Sequence, residues 1–225
     1  MRMTIYIFFT LFTSVAFAGG EEAAAASDIK LVKQVMGRYH EAAAVKSDVK
    51  KEVYFALLDE KKATQGTLLF SKGRMRLEMA KPEEFLVVVN KEVIWAVTPA
   101  NAELGSAMQV LKIVSKDLSQ QSRAPMAMLF GQKKAWDQFK VMKSEEKNGV
   151  KTIALAPKKP DSINDVSSVQ LAINLKENLL SELSYKDDLD NETKFIFSKT
   201  NFKAKVNKKS FSYSPPKSAE VTVYK

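Results

Sequence analysis

The chain contains no cysteine. Disulfides, thiolate nucleophiles and cysteine-ligated zinc are excluded. The same absence speaks against a thioether-linked lipid anchor at the N-terminus. Histidine is nearly absent too: His40 is the only one, and it falls on a predicted helix. With one histidine, neither a Cys–His pair nor a His-rich zinc site can be assembled. Glycine is scarce, at eight residues, and there is neither a G-x-S-x-G elbow nor a glycine-rich phosphate loop. The chain is therefore expected to be no enzyme and to need no cofactor. Asp187, Asp188, Asp190 and Glu192 lack the central glycine and full ligand series of a calcium loop. They read as a turn between strands, whose side chains cap local backbone groups, with no metal.

The only long hydrophobic run is at the start. Arg2 precedes the apolar stretch Ile5–Phe12, and Ala16-Phe17-Ala18 has the small-x-small form of a cleavage site. Residues 1–18 read as a secretory signal peptide cleaved after Ala18, too short for a membrane span. No later segment approaches the roughly 20 apolar residues a span requires. Cleavage of 18 residues from 225 leaves 207, and loss of Arg2 takes the formal charge from +9 to +8. The lysines are scattered, as on solvated strand faces. Lys203, Lys205, Lys208 and Lys209, with Phe202, Phe211 and Tyr213 near them, have the ingredients of a nucleic-acid surface. Export argues against that partner, and lysine also protects strand edges from aggregation.

Residues 19–26 are small and acidic and read as a flexible leader. Ser27 is a good N-cap; Leu31, Val35, Tyr39 and Ala42, with Val32 and Met36 beside them, predict an amphipathic helix to about Ala44. From Asp48 the period shortens to two. Val49, Val53, Phe55 and Leu57 predict a strand, and Leu68 and Phe70 continue the pattern. Met75, Leu77 and Met79 share one face, with Arg74, Arg76 and Glu78 on the other. Phe85–Val89 is apolar at every position, so it must be covered on both faces. Residues 107–114 fit a strand or a helix. Residues 123–131 predict a short helix with Pro125 in its first turn and Gly131 at its end. Further strands are expected at 139–145, 150–156, 166–175, 179–185 and 192–198, joined by turn residues as consecutive antiparallel hairpins. There is no internal repeat and no interdomain linker, so 27–225 reads as one domain.

The order of these features resembles the LolA-type periplasmic lipoprotein carriers. The resemblance runs from the first helix through "GTLLFSKGRMRLEMAKPEEFLVVVNKEVIWAVTP", "APMAMLFG", "IALAPKKP" and "LSYKDDLDNETKFIFSKTNF" to "FSYSPPK". It implies an α+β, mostly antiparallel fold: a strongly curved, unclosed β-barrel with a lid of short helices. It implies a monomeric periplasmic chaperone that shelters lipoprotein acyl chains between the inner and outer membranes. Its partners would be acylated lipoproteins, an inner-membrane lipoprotein-releasing transporter and an outer-membrane receptor. The alternative within the same fold is a periplasmic domain that senses lipoprotein or lipid. The acyl cavity and lid would draw on Leu31, Val35, Tyr39, Phe70, Met75, Leu77, Leu86, Val88 and Trp95, with Met126, Met128, Leu129 and Phe130 from the later helix. Family members hold the lid shut through a basic residue after the strand matching Leu68–Phe70. Lys72 and Arg74 are the candidates here, and a lysine would replace arginine's planar fork with a single ammonium.

Overall fold

Residues Ala18–Glu41 form one 24-residue helix, α1. The computed structural model describes residues 18–81, 84–90, 92–100, 105–114, 135–159 and 166–224. Val32, Val35, Met36 and Tyr39 recur at spacings of three, one and three, and all four are buried on one side of the helix. Residues 19–26, expected as a flexible leader, are helical: four consecutive alanines, Ala23 to Ala26, carry strong helix propensity. The helix stops at Glu41, three residues before the expected end. Residues 1–17 of the expected signal peptide and the short helix expected at 123–131 lie outside the described residues, as do Met126, Met128, Leu129 and Phe130.

Twelve strands follow among the described residues. They are β1 Val45–Phe55, β2 Glu60–Ser71, β3 Arg74–Met79, β4 Phe85–Val89, β5 Val93–Thr98 and β6 Gln109–Val114; then β7 Phe139–Lys147, β8 Val150–Pro157, β9 Ser168–Asn174, β10 Leu179–Lys186, β11 Glu192–Asn201 and β12 Glu220–Tyr224. They make a single sheet in the order β12-β6-β5-β4-β3-β2-β1-β11-β10-β9-β8-β7. Each half is a hairpin meander, and β1 against β11 joins the halves. All pairs are antiparallel except β12, which lies parallel to β6. Of residues 107–114, compatible with either helix or strand, 109–114 settle as β6 because β5 and β12 supply hydrogen-bond ladders on both sides. Leu57, expected in the first strand, is in the turn beyond β1 and is 84% exposed. The chain has already reversed there: Asp59 takes a positive φ and accepts the Tyr54 hydroxyl at 3.0 Å.

The two ends of the sheet, β12 and β7, do not pair with each other, so the barrel is unclosed. Helix α1 touches β2, β10 and β7, which are widely separated in strand order. One helix can reach all three only if the sheet curls around it. Where a lid of short helices was expected, the described residues hold this one long helix, lying inside the curl.

The sheet has two apolar faces. Met75, Leu77 and Met79 pair with Val89, Val87 and Phe85 and face α1. Arg74, Arg76 and Glu78 face outward, as alternation requires. The outer face of β4 and β5 is covered by the chain's own C-terminal segment, which crosses the back of the sheet after β11. Phe211 meets the Arg74 guanidinium at 4.8 Å, and Tyr213 packs on Trp95 at 5.6 Å between ring centroids. The segment then enters β12. This crossing covers the second face of the fully apolar strand β4.

Candidate functional site

The inner face of the curl is an apolar trough, and α1 fills it. Tyr39 sits edge-on to Phe70 at 6.1 Å and to Phe202 at 5.1 Å. Its hydroxyl donates to the Leu180 carbonyl at 3.5 Å, and burial pushes its pKa up to about 12. From the sheet, Leu68, Phe70, Met75 and Leu77 are each within about 1% of full burial beneath the helix.

The trough brings together only part of the expected site. Val35, Tyr39, Phe70, Met75 and Leu77 belong to the inner cluster, and Leu31 packs half-buried against it. Leu86, Val88 and Trp95 do not. They belong to a second cluster on the outer face, with Val93, Val97 and Val110, beneath Tyr213. The sheet separates them from α1, so they cannot share a cavity with the helix. Their neighbours Val87, Val89 and Ile94 face inward instead, set by Met75↔Val89 and Val89↔Ile94 pairing. Sequence reasoning missed these three, because a strand apolar at every position carries no sign of which parity faces in.

Four fastenings hold α1. Lys33 is ion-paired with Asp137, in the 3-10 turn Ala135–Gln138. Asp28, 5% exposed, pairs with Lys151 of β8 at 3.2 Å. Arg38 donates to the Glu177 and Asn178 carbonyls, each at 2.9 Å, and its guanidinium stacks on Phe202 at 4.1 Å. The fourth is at the helix C-terminus, whose last carbonyls lack partners within the helix. The β2–β3 turn supplies a donor to one of them and to the two residues that follow the helix. Gly73 N–H donates to the His40 carbonyl at 3.1 Å, Lys72 N–H to Ala42 at 3.0 Å, and the Ser71 hydroxyl to Ala43 at 2.8 Å.

This turn is where a lid latch was sought, and the contacts come mainly from the backbone. Lys72 contributes its N–H, at φ 50°. The Arg74 guanidinium faces the opposite side of the sheet and donates to the Ser71 carbonyl and hydroxyl, each at 3.2 Å. It therefore reaches the helix only through Ser71. Ser71 and Gly73 went unnoticed in the sequence, although a Lys-Gly pair between two strands signals a tight turn.

Elsewhere, Asp187 Oδ1 accepts from the N–H groups of Leu189 and Asn191, and Oδ2 from the Asn191 amide, each at 2.9 Å. The acidic turn consumes this carboxylate in its own cap.

The profile of the family described as "Outer membrane lipoprotein carrier protein LolA" matches residues 53–214, from β1 through the crossing segment. The chain belongs to the LolA family. Among LolA relatives, the outer-membrane lipoprotein carrier protein of Chromobacterium violaceum is 26% identical over 149 residues, covering 66% of each chain. That of Ralstonia nicotianae is 27% identical over 132 residues, covering 55% of this chain and 60% of its own. The chain thus spans about two thirds of the length of these relatives. An uncharacterized conserved protein from Thermus thermophilus shares the fold, with a TM-score of 0.50 at 10% identity over 88% of this chain and 99% of its own. LolA-family carriers are periplasmic, and among the described residues no helix is long and apolar enough to cross a membrane.

Proposed function

We propose that this protein carries the acyl chains of lipoproteins through the periplasm, from the inner to the outer membrane, with the α1 trough as the binding site. The supporting observation is that one amphipathic helix, rather than the sheet itself, fills the apolar interior of an unclosed barrel. A helix is a removable filling; a sheet packed on a sheet is not.

The energetics fit exchange. Each exposed methylene costs about 0.8 kcal/mol, so one long acyl chain in water costs on the order of 10 kcal/mol. Burying each of Val32, Val35, Met36 and Tyr39 is worth about 1.5–3 kcal/mol, and the four together fall in the same range as one chain. The empty and loaded states then differ little, and cargo can be taken up and passed on without fuel at the carrier. Leu31, Val35 and Tyr39 form the lid face in this reading, and Phe70, Met75 and Leu77 the floor. Met126, Met128, Leu129 and Phe130, expected as lid residues, lie outside the described residues. The protein acts as a monomer without catalysis or cofactor, between a lipoprotein-releasing transporter and an outer-membrane receptor.

The test is incubation with inner-membrane vesicles bearing an acylated lipoprotein and its non-acylated form. A soluble one-to-one complex with the acylated form alone is expected. Equal recovery of both forms, or of neither, overturns the reading.

A further inference from the structure

The Asp28–Lys151 pair is out of place in a site built for neutral hydrocarbon. Lys151 alternates with Ile153 and Leu155, which are 0% and 1% exposed on the inner face. Across the ladder it pairs with Ile173, also fully buried. Its side chain, 23% exposed, therefore lies on the inner face at the rim of the trough, beside the start of the helix. Asp28 meets it at 3.2 Å through Oδ1, while the buried Oδ2 has no hydrogen-bond partner among the described residues. A buried carboxylate oxygen without a partner costs stability, and an asparagine or serine there would avoid burying a charge.

We propose that Lys151 is the head-group site for an anionic acyl amphiphile, and that Asp28 occupies it in the empty protein. Along α1, a carboxylate is followed on the same side by Val32, Val35, Met36 and Tyr39. From Asp28 to Tyr39 the helix rises about 16 Å, at 1.5 Å per residue. The helix presents a carboxylate at one end of a long apolar stripe, as a fatty acid does. When it lifts, the Lys151 ammonium is left without its partner at one end of a hydrocarbon-lined channel. A ligand carboxylate replaces the Asp28 carboxylate on Lys151, and its chain replaces the stripe. The unmatched Oδ2 favours the exchange, because Asp28 regains water on both oxygens once released.

The proposal rests on the trough reading above and adds a class of ligand to it: a long single chain ending in a carboxylate, distinct from the uncharged acylated end of a lipoprotein.

Binding of palmitate, hexadecyl phosphate and neutral hexadecanol, each below its aggregation limit, tests this by displacement of a fluorescent acyl probe from the full chain. Palmitate is expected to bind at least tenfold more tightly than hexadecanol, a difference of about 1.4 kcal/mol. Asp28→Asn should preserve or enlarge that ratio. Lys151→Met should bring it to one while hexadecanol still binds, and Lys151→Arg should restore it. Lys50→Met is the control: Lys50 is exposed on the outer face, paired with Glu52 at 2.7 Å, and the ratio should stay unchanged. A preference for hexadecyl phosphate over palmitate, abolished by Lys151→Met, would place a phospholipid phosphate rather than a fatty-acid carboxylate at the same site. Equal palmitate and hexadecanol affinities in the native chain and in Asp28→Asn overturn the proposal and leave the trough standing. Failure of all three probes to bind overturns both.

Discussion

The Gly73 N–H donates to the carbonyl of His40 at 3.1 Å, and the His40 ring lies directly over Gly73. The contact ties the end of α1 to the β2–β3 turn, where the chain passes from helix to first strand. A helix that swings as a lid needs a fixed end and a free one. The C-terminal end is the fixed one: the Gly73 N–H takes the His40 carbonyl in the last turn, and Lys72 and Ser71 take those of Ala42 and Ala43 just beyond it. The N-terminal half is fastened by side chains, which can let go without disturbing the sheet.

Gly73→Ala should loosen this end. Gly73 sits at φ +75°, and an added Cβ would lie 3.3 Å from His40 Cε1. A left-handed alanine costs about 1–2 kcal/mol, and the crowding adds to it. Urea unfolding should show a loss of about 2 kcal/mol, with faster amide exchange at residues 38–42. Unchanged exchange there would refute the clamp.

Ser71→Ala is a milder test of the same joint. The hydroxyl is buried, donates to Ala43 and accepts from Arg74. Its removal leaves one acceptor and one donor without partners, at a cost of about 1–2 kcal/mol. Lys72→Leu, by contrast, keeps the backbone donor and should change stability by under about 0.5 kcal/mol. The order of the two midpoints in denaturant decides whether the backbone or the lysine ammonium does the fastening.

Gly66→Ala should be the most damaging single methyl in the sheet. The new Cβ would fall 2.1 Å from the Glu78 carbonyl oxygen and 2.9 Å from Met79 Cα. Backbone atoms cannot yield as a flexible side chain can, so the β2–β3 pairing must shift. A loss of about 3 kcal/mol is expected, measured by thermal or denaturant unfolding. A native-like midpoint would mean that the register Gly66↔Met79 is wrong.

Tyr39 sets the alkaline limit. Burial lifts its pKa from the ordinary 10 to about 12. A group raised on folding stabilises the native state fully below its unfolded pKa and loses that contribution as pH rises through the folded one. Stability should hold to about pH 10 and fall between 10 and 12, by about 2–3 kcal/mol from this residue. Tyr185, also raised by burial, adds to the fall. Tyr39→Phe should flatten the curve in that window; an unaltered slope would show that the ring is not buried as described.

The outer face offers a spectroscopic check. Tyr213 covers Trp95, and its hydroxyl approaches Met108 Sδ at 3.8 Å. In a Trp136→Phe background, Tyr213→Ala should shift the remaining emission to the red and cost about 2 kcal/mol. No shift would mean that the C-terminal segment does not lie over β5.

Much of this architecture could be read from residue patterns. Met75, Leu77 and Met79 alternate with charged neighbours, so their face was plain. Val35 and Tyr39 marked the buried side of the helix, although Leu31 lies at its margin and Val32 at its centre. The order of apolar runs and turns indicated one curved antiparallel sheet with a few helices; the unclosed barrel came from the family resemblance, and the strand order bears it out. The site was read less well. Leu86, Val88 and Trp95 were placed in the cavity although they line the opposite face. The latch was sought in a long cationic side chain, whereas the contacts come from amide groups and one hydroxyl.

What the sequence by itself determined is periodicity: which segments extend, which coil, and which of them need burial. That information is local, because a side chain's polarity and its two-residue or 3.6-residue spacing are written into neighbouring positions. What only the tertiary structure decided is parity and partnership: which face of Phe85–Val89 looks inward, what covers the other, and which lysine meets Asp28. Those depend on register between strands and on a segment returning from more than a hundred residues away. No local pattern encodes them, because they exist only once the sheet has curled around its helix.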